Sequence, residues 1–560
     1  MRAIATLITL VALVNPCSHA ADQTLTISLS AGAIQPLTGV NIGPAPWGTS
    51  ANVDLTTGYQ ALGVTLIRTH DYYGPLDMAT MYPSQGADPA LAASYNFTES
   101  DKTYAAILNG GFTAYLRLGD SYSNLTGFPK ASPRKPSNQD NWIKAAIEVI
   151  RHYNDGARWG AAKLNYIEIW NEPDNPDFWD GTQTEFNTFY AKAYKAIKAA
   201  YPALKIGGPG YTPKAFLTAG GQADTRKFLD YLKAQAIAPD FLSWHMYTNE
   251  PGDYTTAARF YRSELDSHGM TSTESHVSEW NTETENLGKA EQAELRTGAR
   301  GASIMTAAWI IQQQEGVAQS LVYRGPDPEL SASTYYGVFY ANGVKKRVAL
   351  AYSLWTDLVK RGNRLAVVMS TAASGSGVTA LAAQGPSGEI GVLVANPNNK
   401  VYSYQLALSH GGTIGTATLR EVNSSNEQIN SSSLSAGSVT IPAYGVQLLT
   451  FVPGNYCESN LSAALALSVP YLYYSGNLYA VTFTYDSSHT DGFYLVSSTV
   501  AGAGVPNCRP AATLLPGFKL QVPALMYSAP TGRSALWAGF DYSGVLGGGF
   551  LFKASTYGAQ

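Results

Sequence analysis

Eight short apolar runs, each followed by an amphipathic stretch or a long loop, recur between residues 37 and 323, and no other feature narrows the folding options of this chain as much. They cover residues 37–42, 65–69, 113–118, 166–170, 205–208, 241–246, 276–280 and 319–323, and β-branched and aromatic residues dominate them. Strands alternating with helices require a parallel sheet with crossover helices, and eight such units close into a (β/α)₈ barrel. The intervening helices are legible too. Over residues 141–153, Trp142, Ala145, Val149 and Ile150 fall on one helical face. Over residues 185–200, Phe186, Tyr190, Ala193 and Ile197 do the same, with Thr182 or Thr184 to cap the start and Pro202 to stop the end.

In a barrel of this kind the carboxyl ends of the strands carry the chemistry. The fourth run ends in Trp170-Asn171-Glu172-Pro173, where Pro173 cannot donate to a ladder and the strand must stop. Taken alone, the tetrapeptide also admits the reading of an ordinary turn after a strand. A second acid in matching context changes that. Glu279, in His276-Val277-Ser278-Glu279-Trp280-Asn281, also ends an apolar run. Two carboxylates on different strand ends of one barrel can flank a single glycosidic bond.

Trp170-Asn171-Glu172-Pro173 with Glu279 on a later strand resembles the clan A glycoside hydrolases. Arg68-Thr69-His70-Asp71, the Gly207-Gly208-Pro209 strand end and Ser243-Trp244-His245-Met246-Tyr247 resemble glycoside hydrolase family 39. The resemblance covers about residues 36 to 450. It implies that Glu172 is the acid/base and Glu279 the nucleophile of a retaining glycosidase, with Asn171 bonding the sugar 2-hydroxyl and Arg68 holding the nucleophile ionised. His245 and Tyr247 would orient Glu279 and the substrate, and His70 and Asp71 would line the glycone pocket. Trp280 and Tyr323 are candidate stacking platforms, although each also reads as barrel packing. Two positions depart from the family pattern. The residue after Arg-x-His is Asp71, where the xylosidase members carry Gly, and a long insert, residues 72–95, follows it. The eighth strand ends in Tyr323-Arg324-Gly325 without the Trp common across the clan.

Composition excludes several partners. Lys and Arg number 37 against 41 Asp and Glu, with no strongly basic run, which argues against nucleic acid. Only 14% of residues are charged while 36 are Tyr, a balance that suits sugar-facing surfaces. His268 and His276 lack ligand spacing with acids or cysteines, and no glycine-rich phosphate loop opens a helix, so neither a metal nor a cofactor is expected. Met1 and Arg2 precede an apolar run over residues 3–14 and then Ser18-His19-Ala20, the pattern of a signal peptide cleaved after Ala20; a secreted or periplasmic location follows. The run is too short to span a bilayer, and no other segment is apolar enough to do so. Loss of Cys17 with that segment leaves Cys457 and Cys508, an even pair that reads as a disulfide in an exported chain.

The division expected is a signal peptide (1–20), a catalytic barrel (36–358), a β-sandwich (22–35 with 359–453) and a small β-rich module (455–560) stapled by Cys457 and Cys508. In family 39 such a sandwich packs beside the barrel and takes in the N-terminal strand. The last module is rich in Tyr and Gly and alternates strongly over residues 478–485 and 537–542. Its aromatics read first as core and second as a carbohydrate-binding surface. The function these features imply is hydrolysis of β-glycosidic bonds in an oligo- or polysaccharide by two glutamates. The competing readings are a noncatalytic carbohydrate-binding or adhesin protein on a barrel scaffold, and a polysaccharide lyase using Tyr247 and His245.

Overall fold

The computed structural model describes residues 23–28, 31–45, 53–70, 74–121, 135–155, 159, 164–328, 335–370, 378–409, 413–435, 437–454, 456–475, 477–486, 492–500, 508–510, 512–515, 519–529, 532–546 and 549–559. The expected signal segment and Asp71 lie outside these residues.

Eight parallel strands close on themselves in chain order: Gly39–Asn41, Leu66–Arg68, Thr113–Leu118, Tyr166–Ile169, Lys205–Tyr211, Phe241–Tyr247, Glu274–Asn281 and Gln319–Val322, the eighth pairing back to the first. Each coincides with one of the eight runs read from the sequence. The helix after the third strand spans Gln139–Asn154, capped by the Asn138 side chain. That after the fourth spans Gln183–Ala200, and Thr182 and Glu185 form a reciprocal capping box at its start. Replacing such a cap costs about 1 kcal/mol. At the closed end of the barrel, Leu66, Tyr115, Phe241 and Leu321 fill the interior. Because side chains alternate along a strand, Arg68, Arg117 and Glu168, two residues on from Leu66, Tyr115 and Tyr166, share that inward orientation and sit nearer the mouth.

Two further sheets follow. One has four strands, in the order Val367–Met369, Gln23–Ile27, Tyr402–Leu408 and Ser438–Ile441; the N-terminal strand lies parallel to Tyr402–Leu408. The other has seven strands and includes Thr379–Gln384, Ile390–Ala395 and Val446–Phe451. Leu25, Ile27, Val392, Val394, Tyr404, Ile441 and Leu449 from both sheets make one apolar core, so the pair is a sandwich. The seven-stranded sheet is apolar on its other face as well. Leu381, Leu393, Ala395 and Leu448 join the barrel's core with Trp309 and Trp355 of the helices Ala299–Gln314 and Arg347–Val359. Burial on both faces explains why these strands read as nearly unbroken apolar runs.

The C-terminal strands form an eight-stranded sheet that closes through two extra pairings, Ser459–Leu461 with Lys519–Ala529 and Ala466–Tyr474 with Ala512–Leu515. It is built from two copies of one pattern. Leu467-Ser468-Val469-Pro470-Tyr471-Leu472 recurs as Leu520-Gln521-Val522-Pro523-Ala524-Leu525, and each copy has a register shift between its Val and its second Leu. Phe483 and Phe540 follow register shifts of their own. Leu467, Val469, Leu472, Phe483 and Phe493 pack against Leu520, Val522, Leu525, Phe540 and Phe552 in one core. The Cys457–Cys508 disulfide joins the starts of the two copies.

Candidate active site

The seventh strand carries the decisive local irregularity. Its pairing with the sixth runs Ser243 to His276 and Trp244 to Val277, then jumps to His245 with Glu279. Ser278 is the extra residue of a bulge. Asn41 Nδ2, at the end of the first strand, donates to the Ser278 carbonyl at 3.0 Å. His276 faces the barrel interior against Phe241, and strict alternation would point Ser278 inward and Glu279 out. The bulge reverses that and turns Glu279 into the mouth. The same step turns Trp280 outward, where it packs edge-on against Trp309 and Tyr254 of the helical layer and is fully buried. Trp280 is therefore barrel packing, and its reading as a stacking platform is corrected.

Glu172 is placed by backbone strain. Trp170 and Glu172 have φ of 77° and 47°, in the left-handed region that non-glycine residues rarely occupy. The Glu172 amide donates to the Gly210 carbonyl at 3.0 Å. The fifth strand can pass this close only as glycine. A Cβ at Gly208 would lie 2.6 Å from the Ile169 carbonyl oxygen, and one at Gly210 would lie 2.9 Å from His245 Nε2.

Around these two acids the side chains interlock. Arg68 is fully buried and donates in four directions: Nε to Glu168 at 2.6 Å, Nη1 to Asn41 at 2.9 Å and to Glu279 at 3.0 Å, and Nη2 to Asn171 at 2.7 Å. Burial disfavours its charge, yet Glu168 and Glu279 outweigh that and raise its pKa. Glu168 is buried as deeply, and the Arg68 charge overcomes burial to hold its carboxyl below the usual range. Tyr247 donates to Glu279 Oε1 at 2.6 Å, and His70 Nε2 stands 3.6 Å from Oε2. His245 Nδ1 is 2.8 Å from Glu172 Oε1, and Asn175 Nδ2 donates to Oε2 at 3.0 Å.

The two carboxyls differ in surroundings. Burial pushes Glu172 up to about 7, against smaller opposing contributions from Asn175 and Arg68. Burial also pushes His245 down to about 4, so near neutral pH the ring gives Glu172 a hydrogen-bond partner without a positive charge that would drive it to ionise. His70 is held neutral in the same way, by burial and then by Arg117 and Arg68. Asn171 Nδ2, His245 Nε2 and His70 Nδ1 are buried without a hydrogen-bond partner, an arrangement that leaves polar atoms for something else to satisfy.

A carboxylate oxygen of Glu172, one of Glu279 and a ring nitrogen of His245 all lie within 4.8 Å of one another. Among the described residues this is the group whose spacing suits a metal ion, but its carboxylates already bond to Arg68, Tyr247 and Asn175. Tyr323 closes one side of the mouth, its ring 6.4 Å from both His70 and Tyr247 and edge-on to Tyr336 at 5.5 Å. Arg296 in turn stacks its guanidinium 3.5 Å from the Tyr336 ring. The insert after the second strand is anchored here too, because Arg117 Nη2 donates to Asp77 at 2.6 Å. Sequence reasoning missed Asn41, Glu168, Asn175 and Tyr336. A glutamate flanked by isoleucines in a buried strand was the one available signal, and it pointed to Glu168.

Residues 45–288, which contain both acids, match the family model described as glycosyl hydrolases family 39. The likeness to glycosyl hydrolases family 39 thus runs from just after the first barrel strand to just beyond the seventh. The chain is 24% identical over 212 residues to a β-xylosidase of Geobacillus stearothermophilus, an alignment covering 36% of this chain and 40% of that protein. It is 29% identical over 170 residues to human α-L-iduronidase, covering 29% of this chain and 24% of that protein. The chain thus aligns with less than half the length of either relative. Among solved structures, a glucosidase from Croceicoccus marinus superposes with a TM-score of 0.61 at 23% identity, covering 77% of this chain and 98% of that one; the likeness is one of fold. Among the described residues no helix is long and apolar enough to cross a membrane.

Proposed function

We propose that this protein is an exported retaining glycosidase, with Glu279 as nucleophile and Glu172 as general acid and then general base. The observation that carries the reading is the approach of the two carboxyls, whose nearer oxygens lie within 4.8 Å. Retaining enzymes hold their carboxyls roughly 5 to 5.5 Å apart, whereas inverting ones leave room for a water between.

The division of roles follows from the environments. Glu279 accepts from the Arg68 guanidinium and the Tyr247 hydroxyl, which orient its carboxyl for attack. Glu172, raised to about 7, keeps its proton through mildly acidic solution and as far as neutrality in part of the molecules. In the first step a Glu279 oxygen bonds to the anomeric carbon, the glycosidic C–O bond breaks, and the Glu172 proton passes to the departing oxygen. Formation of the glycosyl ester removes the Glu279 charge. Glu172, now ionised, takes a proton from water as that water attacks the same carbon, and both residues return to their starting states. Asn171 Nδ2, buried and without a partner, is the donor available to the sugar 2-hydroxyl, a bond that strengthens as the ring flattens.

The relatives' names direct the choice of substrate, and β-xylosidic bonds are the first candidates. The export signal over residues 1–20 belongs to the same proposal, and N-terminal sequencing of the mature protein should start at Ala21. The decisive experiment measures hydrolysis of aryl β-xyloside, β-glucoside and α-L-iduronide by the wild type and by Glu279→Gln. Turnover of at least one, reduced more than a thousandfold in a folded Glu279→Gln variant, is expected. Near wild-type turnover in that variant overturns the assignment.

A further inference from the structure

The C-terminal barrel of two repeats is closed at its core but splayed at one edge. Gly492–Val500 pairs with Gly549–Ala559 only at Phe493 and Tyr494. From Leu495 on its pairing among the described residues is with Asn477–Asp486 alone. Val496 and Val500, on this half of the strand, are 62% and 70% exposed. Beneath it the barrel interior is hollow. A cavity of about 320 Å³ opens there, walled by Leu472, Tyr479, Val481, Phe483, Leu520 and Phe552. Most of these walls are the same residues that make the module's core. Ser498 lies at its open side, and Tyr474, 39% exposed, stands at the rim.

The lining decides the ligand. Among the described residues none around the cavity is charged, so a charged or hydroxyl-rich molecule entering it would lose its water without replacement. That disfavours a sugar inside, whatever the aromatic content suggests from sequence. The size fits a small molecule and excludes a polypeptide element, since ligand cavities of this kind begin at roughly 300 Å³. Eight-stranded barrels have interiors that either fill with side chains or hold one small ligand. Here the side chains leave the space unfilled at the splayed edge, and hydroxyls in its described lining are confined to Tyr474, Tyr479 and Ser498. We propose that the C-terminal module binds the hydrocarbon chain of a single-chain amphiphile, such as a fatty acid, inside this cavity, with the polar end at Tyr474 and Ser498. The site shares no residue with the barrel mouth around Glu172 and Glu279, and the proposal stands independently of the glycosidase reading.

The test uses the full chain. Dodecanoate is titrated against protein carrying the fluorescent probe 1-anilinonaphthalene-8-sulfonate. Saturable displacement at one site per chain is expected, at least tenfold weaker in Leu495→Trp, whose indole occupies the cavity. Ser497→Trp, on the outward side of the same strand, should bind as the wild type does. Should Leu495→Trp melt early, Ser498→Trp at the mouth serves in its place. Absence of saturable displacement overturns the proposal, and so does equal affinity in the cavity-filling variant. Displacement by xylotriose but not by dodecanoate also overturns it, and would make the cavity a sugar site.

Discussion

Arg68, on the second barrel strand, donates to Glu279, on the seventh, across 3.0 Å of fully buried interior. The same guanidinium holds Glu168 and Asn171 at the fourth strand's end and Asn41 on the first, so one side chain fixes residues from three strands. A lysine would keep the charge but not the planar fork that meets all of them at once.

Arg68→Met leaves the Glu168 and Glu279 carboxylates buried without their cation. Removing one partner of a buried pair costs about 3 to 5 kcal/mol, and chemical denaturation should register a loss of that order. Arg68→Lys should fold better yet lose roughly 10²- to 10³-fold in kcat, the range for removing a donor that steadies charge in the transition state. A lysine variant with more than a tenth of wild-type kcat would show that the fork has no part in turnover.

Much of this arrangement was readable from the chain, and the rest was hidden for identifiable reasons. Glu172 announced itself because Pro173 marks a strand end and Trp170 anchors the strand, and the apolar periodicity located all eight barrel strands. The bulge at Ser278 has no such marker: the run of residues 276–281 reads the same with or without an extra residue, yet it decides whether Glu279 or Ser278 faces the mouth. Trp280 carried two readings for that reason, and its packing against Trp309 and Tyr254 selects the second. Asn175 and Tyr336 act from loops, where no periodicity exists to place a side chain. The duplication in the last module is marked by two Leu-x-Val-Pro-x-Leu motifs, but the second copy has Leu536 and Ala538 where the first has Tyr479 and Val481, so the likeness fades beyond the motif.

Acid/base behaviour should follow Glu172. Its ordinary value is 4.5, and burial raises it to about 7 in the folded protein. The folded state therefore holds a proton between those values that the unfolded state has already released. Stability is lost as pH rises from about 4.5 to 7, by about 3 kcal/mol at most given 1.36 kcal/mol per pKa unit. Glu172→Gln, which cannot ionise, should gain stability relative to wild type across this window. In the same window kcat/KM of the wild type should fall on the alkaline side near pH 7, where the acid form disappears. A stability difference between the two proteins that is flat from pH 4 to pH 8 contradicts the raised value.

The disulfide should stabilise the last module alone. Cys457 and Cys508 are 51 residues apart in sequence, and closing a loop of that length in the unfolded chain is worth about 4 kcal/mol in the loop-entropy account. Replacing both by Ser should move one calorimetric transition down, leave the transition of the (β/α)₈ barrel in place, and leave hydrolysis unchanged. Mature protein purified without reductant should show no titratable thiol; two thiols per chain would remove the staple from the account.

Stereochemistry ties both acids to a single observation. The nearer carboxylate oxygens of Glu172 and Glu279 lie within 4.8 Å, while an inverting mechanism requires carboxyls roughly 6.5 to 9.5 Å apart so that a water fits between the base and the sugar. With that water excluded, the first bond to the anomeric carbon must come from Glu279 itself. Water then attacks from the face the leaving group has vacated, where Glu172 stands ready to take its proton, and two inversions restore the starting configuration. Proton NMR of the first-formed sugar, recorded before mutarotation, should show the anomer of the substrate. The opposite anomer would mean that Glu279 works as a base on water, and that the two strands open further in the complex than their separation here allows.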